Sequence, residues 1–247
     1  MRLLILMLYP IFVPTMVFGD HHFSDPVIGH IPITPVTQAE LDSIAHGDCQ
    51  ASSRVMARLA IVLQEKGIES VRVAVPAIHA HLSSIMDKEG RSGECEVEYA
   101  LGLAGFLGRI GDPRSRSILL RAIRNNIGSA HIGLAKMDSA VDSVITYLQH
   151  DQLRTRGTAG HTLVRMYRSK PSLFGESQIK LIRRMLLENI ERYEYKGTYC
   201  FALATFGDST AIPVLSQIAN KDTLTGLGGR YPNRRMARYA IDQIRAR

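Results

Sequence analysis

Three sets of side chains in this chain are of types that bind or react. The first is Asp20-His21-His22. If the chain is cleaved after Gly19, Asp20 becomes the N-terminus and His22 stands third from a free amine. The amine, two backbone nitrogens and an imidazole would then surround Cu(II) or Ni(II) in the square-planar array those ions prefer. A terminus shifted by one residue removes that geometry, and a polar tail is the competing expectation. The second set is Cys49, Cys95 and Cys200. Their spacing is not C-x-x-C, which argues against a zinc ribbon or a dithiol redox site. One disulfide, Cys49 with Cys95, is open to an exported chain; so is a state in which all three are small buried hydrophobes. The third set is basic: Arg154, Arg156, Arg165, Arg168, Lys180, Arg183, Arg184, Arg234, Arg235 and Arg238. Such residues suit an anionic partner.

Catalytic motifs are missing. The chain has no G-x-S-x-G elbow, no H-E-x-x-H, no phosphate-binding G-x-x-x-x-G-K-[ST] loop and no G-x-G-x-x-G opening a helix. No catalytic residue is assigned, no cofactor is expected, and no metal is expected apart from the Asp20-His21-His22 idea. His79 and His81 are two apart on a helix and point in different directions, so they cannot share a metal without other ligands. His46, His131, His150 and His161 read as isolated surface or hydrogen-bonded side chains. Glu94, Glu96 and Glu98 open a helix, where its positive end favours them. Gly226 to Arg230 has the composition of an anion-binding loop, but a connector explains it as well.

The charge is uneven. Residues 20–130 balance at −2 and residues 131–247 at +8, while the whole chain carries +7 with Arg2 included. The basic half predicts a partner with an acidic surface.

These side chains need elements to position them. A chain of 247 residues that is 45% hydrophobic, with no Trp and 6% aromatic residues, favours close-packed helices over a sandwich or barrel. Arg2 followed by an uncharged apolar run from Leu3 to Phe18 reads as a signal peptide over residues 1–19. Val17 and Gly19 suit the two positions a signal peptidase reads, which puts cleavage between Gly19 and Asp20. An uncleaved anchor is the alternative, but Pro10 and Pro14 interrupt a run shorter than the roughly 20 residues of a spanning helix. The expected location is therefore the periplasm or the exterior, with no membrane span once the signal is removed. Residues 20–36 contain Pro26, Pro32 and Pro35 and read as an extended arm. Thr37 with Glu40 marks the start of the first helix as a capping box. Helices are expected over 38–46, 51–65, 69–86, 95–109, 113–125, 138–149, 153–168, 176–193, 197–205, 209–219 and 233–245.

Within residues 37–247 the chain repeats itself. Phe174-Gly175-Glu176-Ser177 returns 32 residues later as Phe206-Gly207-Asp208-Ser209, and Ile110-Gly111-Asp112-Pro113 lies 64 residues before the first. Four residues past each Gly stand Ser115, Ile179 and Ala211; seven past, Ile118, Ile182 and Val214; eleven past, Ala122, Leu186 and Ile218. Those offsets trace one helix face. The junction predicts a helix ended by a left-handed Gly, followed by an Asp or Ser that caps the next helix. Pro113 suits a first turn, where its absent N–H costs nothing.

Leu107-Gly108-Arg109-Ile110-Gly111-Asp112-Pro113 resembles the junction of short bacterial HEAT-like repeats, the type also found in phycobilin lyases, and Phe206-Gly207-Asp208 repeats it. Glu69-Ser70-Val71-Arg72-Val73-Ala74 and Arg234-Arg235-Met236-Ala237-Arg238-Tyr239-Ala240 are similar to the first helix of such repeats. The likeness covers most of residues 50–246. A copy near residue 143 lacks the Gly-Asp turn, and Lys170 to Leu173 reads as an insertion. The resemblance implies an all-α, right-handed α-α superhelix of about five helix pairs and transfers no functional residue. The expected function is a non-catalytic scaffold that binds a protein through the surface of stacked helix pairs. The alternatives are polyanion or nucleic-acid binding, which export and the scarcity of aromatic residues among the arginines disfavour, and a lyase-like enzyme.

Overall fold

The computed structural model describes residues 34–46, 49–88, 94–137, 140–192, 195–226 and 230–247. The expected signal peptide through Gly19, its cleavage site, the Asp20-His21-His22 metal idea and most of the arm lie outside the described residues. So do the side chains of Cys49, Cys95 and Glu94, and with them the Cys49–Cys95 disulfide, as well as the centre of the Gly226–Arg230 loop. Contacts divide the chain after Pro35, and the helical unit is Val36–Arg247.

Every regular element among the described residues is helical. In order they are α1 (Gln38–His46), α2 (Cys49–Lys66), α3 (Val75–Asp87), α4 (Glu94–Ile110), α5 (Arg116–Arg124), α6 (His131–Leu134), α7 (Val141–Thr146), α8 (Leu153–Ser169), α9 (Glu176–Ile190), α10 (Gly197–Phe206), α11 (Ile212–Lys221) and α12 (Pro232–Arg245). Short 3₁₀ turns lead into α3, α5, α6, α9 and α11.

Local chemistry explains the boundaries. The capping box at α1 forms: the Glu40 N–H donates to Thr37 Oγ1 at 3.3 Å, and the Thr37 N–H to Glu40 Oε2 at 2.9 Å. The helix expected over 69–86 is broken instead into two 3₁₀ turns, Ile68–Ser70 and Arg72–Ala74, before α3. Pro76 accounts for the break, because it has no N–H for the Arg72 carbonyl and its ring crowds that carbonyl. Residues 128–134, which carry no helical expectation, form a 3₁₀ turn and the four-residue α6. They are too short and glycine-rich for a periodic signal to show.

The two Gly-Asp junctions keep their Asp caps, whereas Gly175 is itself the N-cap of α9 and has no side chain to cap that helix. Gly111 is left-handed, φ 67°, as expected, and Asp112 Oδ1 accepts from the Arg114 N–H at 2.9 Å. Gly175 and Gly207 are extended, with φ −75° and −71°. At Gly207 the demand is for space: a Cβ would lie 2.5 Å from the Leu203 carbonyl oxygen and 2.9 Å from Ile244 Cδ1. Asp208 still caps the next turn, accepting from the Thr210 N–H at 3.0 Å.

The positions on the repeated face turn inward. Ser115, Ala211, Ile182, Ala122, Leu186 and Ile218 are buried, while Ile179, Ile118 and Val214 are half-buried. The two junction phenylalanines meet in one cluster: Phe174 lies 5.8 Å from Phe206 between ring centroids, and Tyr167 lies 5.4 and 5.3 Å from them. Each buried ring or aliphatic side chain in such a core contributes about 1.5–3 kcal/mol. Contacts run α2 to α4, α4 to α6, α6 to α8, α8 to α10 and α10 to α12.

Candidate anion-binding face

The ten basic residues singled out from the sequence separate into three groups. On α9 the cations are matched within the protein. Lys180 pairs with Glu176 at 2.6 Å, Arg184 with Glu188 at 3.9 Å, and Arg183 with Asp208. Arg183 Nε also donates to the Phe206 carbonyl at 2.8 Å. This guanidinium ties α9 to the junction after α10, so its role is structural.

On α12, Arg234 donates to the Asp222 carbonyl at 2.6 Å and lies over the Tyr231 ring at 4.1 Å. Arg235 and Arg238 are exposed. Arg238 lines a groove of about 210 Å³ between α11 and α12 with Ser216, Asn220, Asp242 and Arg245, and Asp242 contributes negative charge there.

The α8 group differs. Arg154, Thr158, His161, Arg165 and Arg168 follow the 4-3-4-3 spacing of one helix face. The three arginines are exposed, and none makes an ion pair with a carboxylate of the described residues. Arg156 is not part of this stripe. Two residues from Arg154 it points about 200° around the helix, is half-buried, and its Nε is enclosed without an acceptor among the described residues.

Neighbouring helices complete the face with rings. His161 stacks on Phe201 of α10 at 5.2 Å and 22°, and the Arg168 guanidinium lies 5.0 Å from the same ring's centroid. Arg165 Nε donates to His161 Nε2 at 3.4 Å. His131, at the start of α6, brings its ring edge-on to His161 at 6.0 Å and donates from Nδ1 to the Gly128 carbonyl at 2.5 Å. Burial above all holds the His161 imidazole down, at about 4, with His131, Arg165 and Arg168 adding repulsion. Burial also lowers His131, against the Gly128 carbonyl, which raises it. Both rings are therefore neutral at pH 7.

The expectation that His131 and His161 stand alone is thus corrected. The signal at His161 was its register with Arg154, Arg165 and Arg168. No sequence signal pairs it with His131 or Phe201, because those contacts depend on how α6, α8 and α10 stack.

The remaining candidates are structural. His79 hydrogen-bonds Ser115 at 2.9 Å and His81 the Ala45 carbonyl at 3.2 Å, which leaves them on separate partners. Cys200 is a free, buried thiol pushed up to about 12, mainly by burial. Among the described residues no three His, Cys, Asp or Glu side chains cluster as a metal site, and no helix is long and apolar enough to cross a membrane. In comparisons with known proteins, no family model, curated protein or solved structure matches the chain.

Proposed function

We propose that the protein is an exported, non-catalytic scaffold of HEAT-like stacked helix pairs that binds an acidic protein segment across the outer face of α8. The order of contacts supports the stack. Alternate helices touch in sequence from α2 through α4, α6, α8 and α10 to α12, and α3, α5, α7, α9 and α11 each pack on the helix that follows. The observation that carries the binding site is the contrast between helices: α9 matches its cations with Glu176, Glu188 and Asp208, whereas Arg154, Arg165 and Arg168 face outward unmatched. Cations left without internal partners keep their full attraction for an external anion. Exported location rests on the apolar segment 1–19, and the intact mass of protein recovered from its host would check cleavage between Gly19 and Asp20.

Binding of a labelled glutamate-rich peptide tests the site. Replacing Arg154, Arg165 and Arg168 by Glu should weaken binding at least about tenfold at low salt. Replacing Lys180 and Arg184 by Glu changes net charge on α9 and should alter it by no more than about twofold. Equal losses would reduce the effect to net charge and sink the proposal. A second reading, direct binding of a nucleic acid or other polyanion, draws on the contact of Arg168 with Phe201. Binding of any polyanion that high salt abolishes would favour it.

A further inference from the structure

The face on α8 brings four positive or protonatable side chains, His131, His161, Arg165 and Arg168, close enough to act on one another. His131 and His161 come from different helices and sit 6.0 Å apart between ring centroids. Their partners assign the neutral tautomers. A carbonyl only accepts, so His131 carries its proton on Nδ1 toward Gly128 and its Nε2 lone pair is bare. His161 accepts from Arg165 at Nε2, so its proton is on Nδ1. The charged groups acting on the two rings are Arg165 and Arg168, both from α8. From α10 the ring stacked on His161 is Phe201, which has no charge, and none of α4, α5, α7 and α10 adds an ionisable group to that set. Burial and the two guanidiniums keep both imidazoles neutral, and with no carboxylate beside them a bound negative charge is what would favour their protonated form.

We propose that His131, His161, Arg165 and Arg168 form an oxoanion site, filled by an acidic group of the partner segment, in which the histidine pair takes up one solvent proton as the anion binds. This rests on the reading of the α8 face as the interface and names its anchor. At His161 the proton enters at Nε2, the atom that now accepts from Arg165. The same step therefore creates an imidazolium and releases the Arg165 N–H to turn to the anion. At His131 the proton enters the bare Nε2 while Nδ1 keeps its bond to Gly128. No covalent bond forms or breaks beyond the transferred N–H.

Sulfate is the probe, because it stays doubly charged from about pH 7.5 to about pH 5, the range in which histidines change state. Imidazole C–H resonances of the full protein are followed during sulfate titrations across that range. The expected result is tighter binding by up to about tenfold per pH unit lowered, the slope of one coupled proton, with the largest shifts at His131 and His161. Arg165→Gln with Arg168→Gln, both exposed positions, should weaken sulfate at least about tenfold. His161→Gln should keep residual binding but flatten its pH slope, because an amide cannot take the proton. Affinity independent of pH, or shifts at His79 and His150 as large as at the pair, would overturn the inference. If the glutamate-rich peptide binds through α8 but sulfate leaves the pair unmoved, the anchor falls and the interface stands. If neither ligand binds, both fall.

Discussion

His161 is half-buried against Phe201 and faces two guanidiniums, so folding denies it a proton that the unfolded chain would accept. Its imidazole titrates near 6.5 in the unfolded chain and at about 4 in the folded protein. Between those values the unfolded state holds more protons, so stability falls as pH drops from about 6.5 to about 4 and is unaffected above that window. The loss from His161 is about 3 kcal/mol on this shift, and His79 and His131, also lowered by burial, act in the same direction. A second acid loss lies lower. The Arg114 guanidinium holds Asp112 down at about 2, so that contribution is lost only as pH falls toward 2. Urea unfolding at a series of pH values measures the first window, and His161→Gln should flatten its upper part. A slope unchanged by that substitution would contradict the burial assigned to His161. Saturating sulfate should also reduce the loss if the histidine pair binds it.

At the scale of elements, the Gly-Asp junctions were legible because they are local: a cap and the turn it closes lie within a few residues. The approach of α4 to α6 was not, because α6 has no periodic pattern and its partner Gly133 is 25 residues from Gly108. There the backbones nearly touch. A Cβ on Gly108 would lie 2.6 Å from the Gly133 amide nitrogen and 3.0 Å from Ile132 Cβ. Gly108→Ala should therefore destabilise by about 1–3 kcal/mol as the helices separate. Gly102, six residues earlier on α4, has nothing within 4 Å of its missing Cβ, and there alanine should stabilise by about 0.5–1 kcal/mol through helix propensity. For a chain of this size the two substitutions should move the melting temperature in opposite directions, by about 2–4 °C per kcal/mol. Equal effects would mean that the close approach of α4 and α6 is not part of the folded state. The same dependence on stacking hid Phe201 from the sequence: a helix was expected over 197–205, but the contact of Phe201 with His161 follows from how α10 packs on α8.

At the scale of the whole molecule, contacts between helices close in sequence make stability a matter of neighbours. α12 covers α10 and α11 with Ala237, Ala240, Ile241 and Ile244, all buried. Just beyond it, the Arg247 guanidinium donates to the carbonyls of Thr205 at 2.6 Å, Ala204 at 3.1 Å and Gly207 at 3.2 Å, which closes the C-terminal end of α10. Removing residues 232–247 uncovers one side of α10 and α11 but leaves the contacts among α1 to α5 intact. In a stack of helix pairs each unit is held chiefly by the next, so the damage should fade with distance from the cut. Amide exchange should accelerate most in α10 and α11, less in α8 and α9, and least in α3 to α5. Arg247→Ala, which spares the apolar cover, should reproduce the gradient in weaker form, with a loss of about 1–3 kcal/mol from three carbonyls deprived of a charged donor. Exchange that accelerates equally in every helix would describe a single cooperative core, in which case the stacked-pair reading fails although the helices remain.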